Sequence, residues 1–407
     1  MQLEPLNRPF PTIKEFLNDI SFVHVSNAVI AFLFAATAPV AIILGVATKG
    51  GLNETHIASW IFAAFVLNGI FGIIISLIYR QPLVFFWTIS GTVLVGPALE
   101  HLSFQEVIGA FYGTGFLLFF LGLSGWVGKI MVRLPMPIIM AMVAGVFLNF
   151  GLDWIKAMGQ APWIAIPMTL GFVMLSFNHS LARRLPPMIG VLVIGVISVT
   201  LTETFKPVSD LSFAIIAPTV YTPVFSWGAM FELVIPLAVT VLAAQNAQGI
   251  AVLTERGHTP PVNTITTICG AGSIITATFG AVSTCLTGPV NAILSSSGEN
   301  KQHYIAAFVI CLLAIIFGCY APLVTKIMLA TPPAFISTLA GLALLRVLQT
   351  SFVVSFGGNF SLGALVTFLV TIADQTIFNI GAPFWGLVFG LTTSWLLERQ
   401  FFKSMAP

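Results

Sequence analysis

Apolar stretches of membrane-crossing length follow one another along almost the whole of this chain, separated by short links that hold most of its charge. A bilayer core of about 30 Å needs roughly 20 apolar residues in a helix. Spans are predicted near 24–47, 57–79, 83–99, 106–128, 135–152, 162–178, 186–202, 230–253, 261–279, 281–297, 304–325, 332–348, 360–378 and 381–397. With 57% hydrophobic and 7% charged residues, the chain cannot be a soluble globular domain, where about 25% charged is usual. The expected fold class is an all-α polytopic membrane protein of fourteen transmembrane segments. A net charge of +2, with basic residues scattered singly, excludes nucleic acid as a partner. Residues 1–19 are polar and lack an apolar core before a small-residue cleavage site, so no signal peptide is read. Cys269, Cys285, Cys311 and Cys319 all fall in apolar segments, without Cys-x-x-Cys or histidine at ligand spacing, and are read as reduced packing residues. No metal or cofactor is expected.

An even number of spans returns both termini to one side, and the basic residues test that arrangement. With the termini fall Arg8, Lys14, Arg80, Lys129, Arg133, Arg183, Arg184, Arg256, Lys301, Arg346, Arg399 and Lys403; opposite lie only Lys49, Lys156, Lys206 and Lys326. The excess predicts cytoplasmic termini. The longest polar connection, 203–227 with Pro207, Pro218 and Pro223, sits at the midpoint and divides seven spans from seven. Seven is odd, so the second half enters the membrane in the opposite sense, as in the inverted repeats of secondary transporters.

The two shortest spans echo one another. One contains Leu94-Val95-Gly96-Pro97 and the other Leu286-Thr287-Gly288-Pro289, with the prolines 192 positions apart (289 − 97). A weaker echo links Leu44–Gly50 with Ala251–Gly257. Interrupted by Ser, Thr, Gly and Pro, the two short spans are expected to be half extended and half helical, because unwound backbone at membrane depth persists only where it is buried or lines a cavity. Their helices are predicted to start near Ser90-Gly91, followed by Thr92, and near Ser283-Thr284, with serine or threonine as N-cap. A helix start exposes amide N–H groups and about half a positive charge, so two facing starts offer an anion site without lysine or arginine. The plainer alternative is a pair of kinked packing helices.

In the eighth span Gln245, Asn246 and Gln248 fall within four residues of an otherwise apolar run. An unpaired buried amide is costly, so the cluster is expected to face substrate, a watery cavity or a neighbouring helix. Gln245 and Gln248 share a face and Asn246 points elsewhere. Thr37, beside Pro39 in the first span, and Thr287 complete the candidate wall; Phe85, Phe86 and Trp87 are candidates for stacking on an aromatic ring or for packing. Glu100, Glu106, Asp153, Glu203, Asp210 and Glu232 are placed near span ends within reach of water, and Asp374 is the deepest acid and the proton-coupling candidate. His24, His56, His101, His179, His258 and His303 are placed at edges, none as a buried relay. The proton is then expected to travel on or beside the substrate. No nucleophile–base pair or acid pair marks a membrane enzyme.

Gln245-Asn246-Ala247-Gln248-Gly249-Ile250-Ala251, Gly257-His258-Thr259-Pro260-Pro261-Val262, Ala340-Gly341-Leu342-Ala343-Leu344-Leu345 and Gly381-Ala382-Pro383-Phe384-Trp385-Gly386-Leu387 together resemble the bacterial benzoate:proton symporter family, in order and over nearly the whole chain. That family is similar to nucleobase-ascorbate permeases and sulfate-type anion transporters. The resemblance implies a core of spans 1–4 (residues 1–132) and 8–11 (228–328), and a gate of spans 5–7 (133–227) and 12–14 (329–407). It also implies the bacterial inner membrane, import of a small aromatic carboxylate with protons, and room for a homodimer. Nucleobase permeases carry glutamates in the eighth and tenth spans; here the corresponding regions offer Gln245 and only Ser283, Thr284, Thr287 and Asn291, which disfavours a nucleobase. A proton-independent anion exchanger is the other alternative.

Overall fold

The computed structural model describes residues 3–6, 9–129, 135–177, 187–205, 213–296, 298–375, 377 and 382–404. Arg8, Arg133, His179, Arg183, Arg184, Lys206, Pro207, Asp210 and Gly381 lie outside the described residues. Among those described, seven helices are long and apolar enough to cross a membrane: Phe22–Lys49, Glu54–Tyr79, Phe104–Ser124, Met136–Gln160, Trp227–Glu255, Asn300–Cys319 and Pro333–Phe356. Shorter apolar helices include Pro162–Phe177, Pro187–Leu201, Val262–Ala277, Ser361–Ala373 and Ala382–Leu397. Local signals set several starts. Ser103 and Glu106 cap the Phe104 helix reciprocally, as Asn53 and His56 do for the Glu54 helix.

Two long helices are irregular where polar and proline residues enter them. Phe22–Lys49 breaks at Thr37 (φ −103°, ψ −91°), and Pro39 then occupies the first turn of Ala38–Lys49, where no N–H is required of it. Trp227–Glu255 carries π-helical turns at Met230–Val234 and Thr240–Asn246, the second ending on the amide cluster.

Two short strands cross inside this bundle. Strand β1 (Phe85–Trp87) pairs antiparallel with β2 (Thr284–Leu286), Phe85 opposite Leu286, Phe86 opposite Cys285 and Trp87 opposite Thr284. β1 leads into the helix Ile89–Ala98 and β2 into Gly288–Leu294. Both strands are buried, so their remaining backbone groups need partners within the protein. Ser76 Oγ accepts from Leu83 N and donates to Leu83 O, each at 3.1 Å, and Ser273 Oγ accepts from Thr284 N at 3.0 Å.

The first helix start lies one residue before the predicted Ser90, with Thr88 as N-cap and its Oγ1 accepting from Gly91 N at 3.1 Å. The second start is displaced from the expected Ser283-Thr284. Pairing with β1 keeps 284–286 extended, and Pro289 is tolerated in a first helical turn but not in an interior, so the helix begins at Gly288. Thr88 N donates to Ser283 O at 2.9 Å and Thr287 N to Val84 O at 3.2 Å, a reciprocal pair across the crossing. The structural equivalence is therefore Thr88 with Thr287, 199 positions apart (287 − 88), in place of Pro97 with Pro289.

Two sets of helices pack mainly among themselves. Met136–Gln160, Pro162–Phe177, Pro187–Leu201, Pro333–Phe356, Ser361–Ala373 and Ala382–Leu397 form one set; both strand–helix units and the long helices around them form the other. Within the second set, Phe104–Ser124 lies close on Val262–Ala277, where a β-carbon at Gly122 or Gly270 would collide with the backbone of Thr267 or Phe119.

Candidate functional site

Where the Ile89–Ala98 helix start meets the amide-bearing turn of Trp227–Glu255, a cavity of about 550 Å³ opens and extends between the two helix sets. Ser90, Gln245 and Gln248, beside Pro289, form its polar inner end, and Phe34, Met136, Met140, Phe147, Phe172 and Met188 its apolar walls. Gln245 Nε2 lies 3.5 Å from Ser90 Oγ. An adjoining recess of about 30 Å³ is bounded by Phe34, Phe86, Trp87, Gln245, Thr287 and Pro289. The Trp87 side chain is 2% exposed, and its indole N–H has no hydrogen-bond partner among the described residues. A buried donor left unpaired costs free energy, so such a group beside a recess is a candidate to meet a ligand acceptor.

The other sequence candidates divide by what already occupies them. Thr92 Oγ1 donates to Thr88 O and Gly91 N to the Thr88 hydroxyl, so both are taken up in shaping the first helix start. Thr37 Oγ1 donates to Phe34 O at the helix break. Asn246 is fully engaged away from the cavity: its Oδ1 accepts from Leu286 N at 2.8 Å, and its Nδ2 lies 3.5 Å from Cys269 Sγ. Thr284 Oγ1 donates to Asn68 Oδ1 at 2.8 Å, and Ser283 is buried beside β2 with its carbonyl receiving Thr88 N. Thr287 reaches the small recess while donating to Val84 O at 3.2 Å. Phe86 and Trp87 border that recess, whereas Phe85 belongs to a separate apolar cluster.

Asp374 lies just past the end of its helix. The Ser361 helix ends at Ala373, Asp374 takes the left-handed conformation at its C-cap (φ 51°), and its side chain borders a separate pocket of about 100 Å³ with Lys49, Glu100 and Asn149. Beside this pocket Lys49 Nζ meets Asp153 Oδ2 at 2.6 Å, linking the Ala38–Lys49 helix to Met136–Gln160.

Several polar groups fall where the sequence did not place them. Arg346, expected near a span end, lies in the middle of Pro333–Phe356 and borders the large cavity. His24, His258 and His303 stand at or beside helix ends, as expected, and are also buried together: His258 Nε2 is 3.0 Å from His303 Nδ1, and the His24 ring stands edge-on to His303. Glu232, expected within reach of water, is 4% exposed and 2.9 Å from His101 Nε2. These contacts join residues 45 to 279 positions apart (303 − 24 for the longest), and no local spacing announces them.

Crossed strand–helix units facing a cavity within a bundle of membrane-length helices define a fold that solved anion transporters share. The transmembrane domain of a cyanobacterial bicarbonate transporter, BicA, matches over 91% of this chain and 98% of its own at 16% identity, with a TM-score of 0.62. The inward-facing murine solute carrier 26 family member A9 anion transporter matches over 95% and 69% at 14% identity, also with a TM-score of 0.62. Sequence narrows the class further. Residues 18–396 match the family model of the benzoate membrane transport protein (BenE), and the chain belongs to that family. Relatives include the benzoate membrane transport protein of Acinetobacter baylyi, 25% identical over 95% of this chain and 98% of that protein. The inner membrane protein YdcO of Escherichia coli is 28% identical over 89% and 92%. Family membership makes the protein a membrane transporter and not an enzyme.

Proposed function

We propose that the protein is a secondary active importer of benzoate or a similar small aromatic carboxylate, driven by proton symport across a bacterial inner membrane. The observation that carries this reading is the chemistry of the cavity's inner end. Ser90 and Gln245 offer neutral donors beside Phe34 and Phe147, and the adjoining recess adds Phe86 and the Trp87 N–H, which has no partner among the described residues. A planar ring with one carboxylate matches both halves of that surface; a bare inorganic anion would leave the apolar walls unused. The carboxylate would meet Ser90 at the first helix start and Gln245, with Gly91 and Thr92 shaping that start through Thr88. Thr37, Asn246, Thr284 and Thr287 would act from behind, by fixing the backbone, and Ser283 through its carbonyl, which receives Thr88 N. Pro289 has no N–H, so the second helix start contributes less than the first.

Fourteen spans as two inverted halves, both termini cytoplasmic, remain the proposed topology. Residues 1–132 and 228–328 would form the moving core and 133–227 and 329–407 the gate; the packing of helices into two sets supports this division. Alternating access would exchange the open cavity at the Arg346 end for one at the Lys49–Asp153 end. An inside-negative potential opposes entry of a bare anion by about 2.3 kcal/mol per 100 mV, so one proton per carboxylate makes import electroneutral. Proteoliposomes should accumulate labelled benzoate above the protein-free background when the outside is acid, and lose the accumulation when the gradient is collapsed. Uptake indifferent to the gradient and driven by an internal anion would identify an exchanger. Asp374→Asn retaining binding but losing proton-driven accumulation would assign the coupling to Asp374.

A further inference from the structure

Pro333–Phe356 is a continuous helix of 24 residues, and Arg346 stands ten residues before its C-terminal end, about 15 Å along the axis at 1.5 Å per residue. Leu342, Ala343, Arg346, Val347, Thr350 and Val354 recur at helical spacing on the face that lines the 550 Å³ cavity. Across the cavity stand Met136, Met140, Val143 and Phe147, with Ser90 and Gln245 at the inner end. Arg346 is the single ionisable side chain among the described residues that border this space. The ion pairs among the described residues engage Lys49, Arg80, His101 and Lys156; Arg346 is in none of them, and its side chain is exposed. On its other side Arg346 borders a second cavity of about 480 Å³ with Phe172, Ser176 and Gln349, so it stands where the two spaces meet.

A guanidinium is always charged, is costly to hold in hydrocarbon, and presents a rigid fork of donors that fits a carboxylate. We propose that Arg346 is the anion-gathering residue of the cavity: it holds a small carboxylate at the cavity's open end and sets a positive potential that favours anions over neutral or cationic solutes on the way to Ser90 and Gln245. Its assignment rests on the transport reading above for the identity of the anion alone.

Ala343 lies three residues before Arg346 on the same cavity face and gives a probe of that potential. Ala343→Cys would be labelled with an anionic sulfonate and a cationic trimethylammonium methanethiosulfonate reagent. The unsubstituted parent sets the background, since Cys269, Cys285 and Cys311 are buried and Cys319 is half-buried. With Arg346 present, the anionic reagent should gain on the cationic one by about tenfold relative to Ala343→Cys/Arg346→Gln, as expected for a unit charge acting over a few ångströms of watery space. Arg346→Lys should restore most of the ratio, and high salt should shrink it. A ratio that Arg346→Gln leaves unchanged overturns the proposal. Benzoate should also slow labelling of Ala343→Cys, and less so in the Arg346→Gln background. A charge-dependent ratio without benzoate protection upholds the anion-gathering role and overturns the benzoate reading instead.

Discussion

The two strand–helix units share a backbone plan and differ in what their side chains are free to do. Each strand is followed by a threonine N-cap, Thr88 or Thr287, whose N–H crosses to the carbonyl preceding the partner strand. In the first unit the Thr88 hydroxyl caps Gly91, the helix runs for ten residues, and Ser90 opens onto the cavity. In the second the Thr287 hydroxyl turns back to Val84 O, the helix runs for seven residues, and Pro289 stands where the first unit has Ser90. One unit presents polar groups to the cavity, whereas the other commits them to holding the crossing together. Two similar backbones thus differ in that the first leaves a polar face on the cavity that the proposed binding would use, and the second spends its polar groups on the crossing.

Gln245 and Asn246 are adjacent in sequence and serve opposite units, so they give the sharpest way to break the comparison. Asn246→Leu leaves Leu286 N–H buried without its acceptor, which should destabilise the protein by about 3 kcal/mol and lower its melting temperature in detergent. Gln245→Leu should leave melting almost unchanged and instead weaken benzoate transport about tenfold, or about 1.4 kcal/mol. Equal effects of the two substitutions on melting would abolish the division.

A second, smaller contrast lies at the next turn. Asn291 Oδ1 accepts from Val84 N at 3.2 Å, and its Nδ2 donates to Thr287 O at 2.7 Å and Val84 O at 3.3 Å. The equivalent residue of the first unit, Thr92, makes one bond, to Thr88 O. Asn291→Ala should cost about 2 kcal/mol of stability, because Val84 N loses a partner inside the protein, whereas Thr92→Val should cost about 1 kcal/mol or less. Chemical denaturation of the two variants side by side checks the order. Thr92→Val proving the more damaging would place the structural burden on the first unit.

How much of this was legible beforehand depended on whether the signal was local. A short apolar run broken by glycine, proline and hydroxyl residues announces unwound backbone, and both strands fall inside the runs so identified. Their register was not legible, because one residue type serves two roles. Pro289 opens its helix, while Pro97 lies near the end of Ile89–Ala98, so matching proline to proline slid one repeat past the other by seven positions (199 − 192). The helix that holds the predicted span 332–348 runs longer than the sequence suggests, for a related reason. Arg346, Gln349, Thr350 and Ser351 look like an exit from the membrane, yet the helix continues to Phe356, where Gly357 follows. The amide cluster was recognised as unusual, but only the fold decides that Gln245 faces the cavity and Asn246 faces β2.

Pro289→Ser carries the smallest expected effect and tests the comparison from the other direction, by making the second unit resemble the first. Proline at this place restricts the unfolded chain and fits its first-turn conformation, so its removal should cost about 0.4–1 kcal/mol of stability, largely through the unfolded state. The substitution also returns a backbone N–H to a position that lines both the cavity and the recess, together with a hydroxyl facing Gln245 and Ser90 across the same space. If the second helix start is silent because proline deprives it of a donor, Pro289→Ser should lower the KM for benzoate by no more than a few-fold while kcat holds. If Pro289 instead supplies an apolar surface for the ring, KM should rise, and the division into binding and structural halves would have to include the second unit on the binding side. The two outcomes differ in sign, so initial rates over a benzoate series in proteoliposomes decide between them even when the change is small.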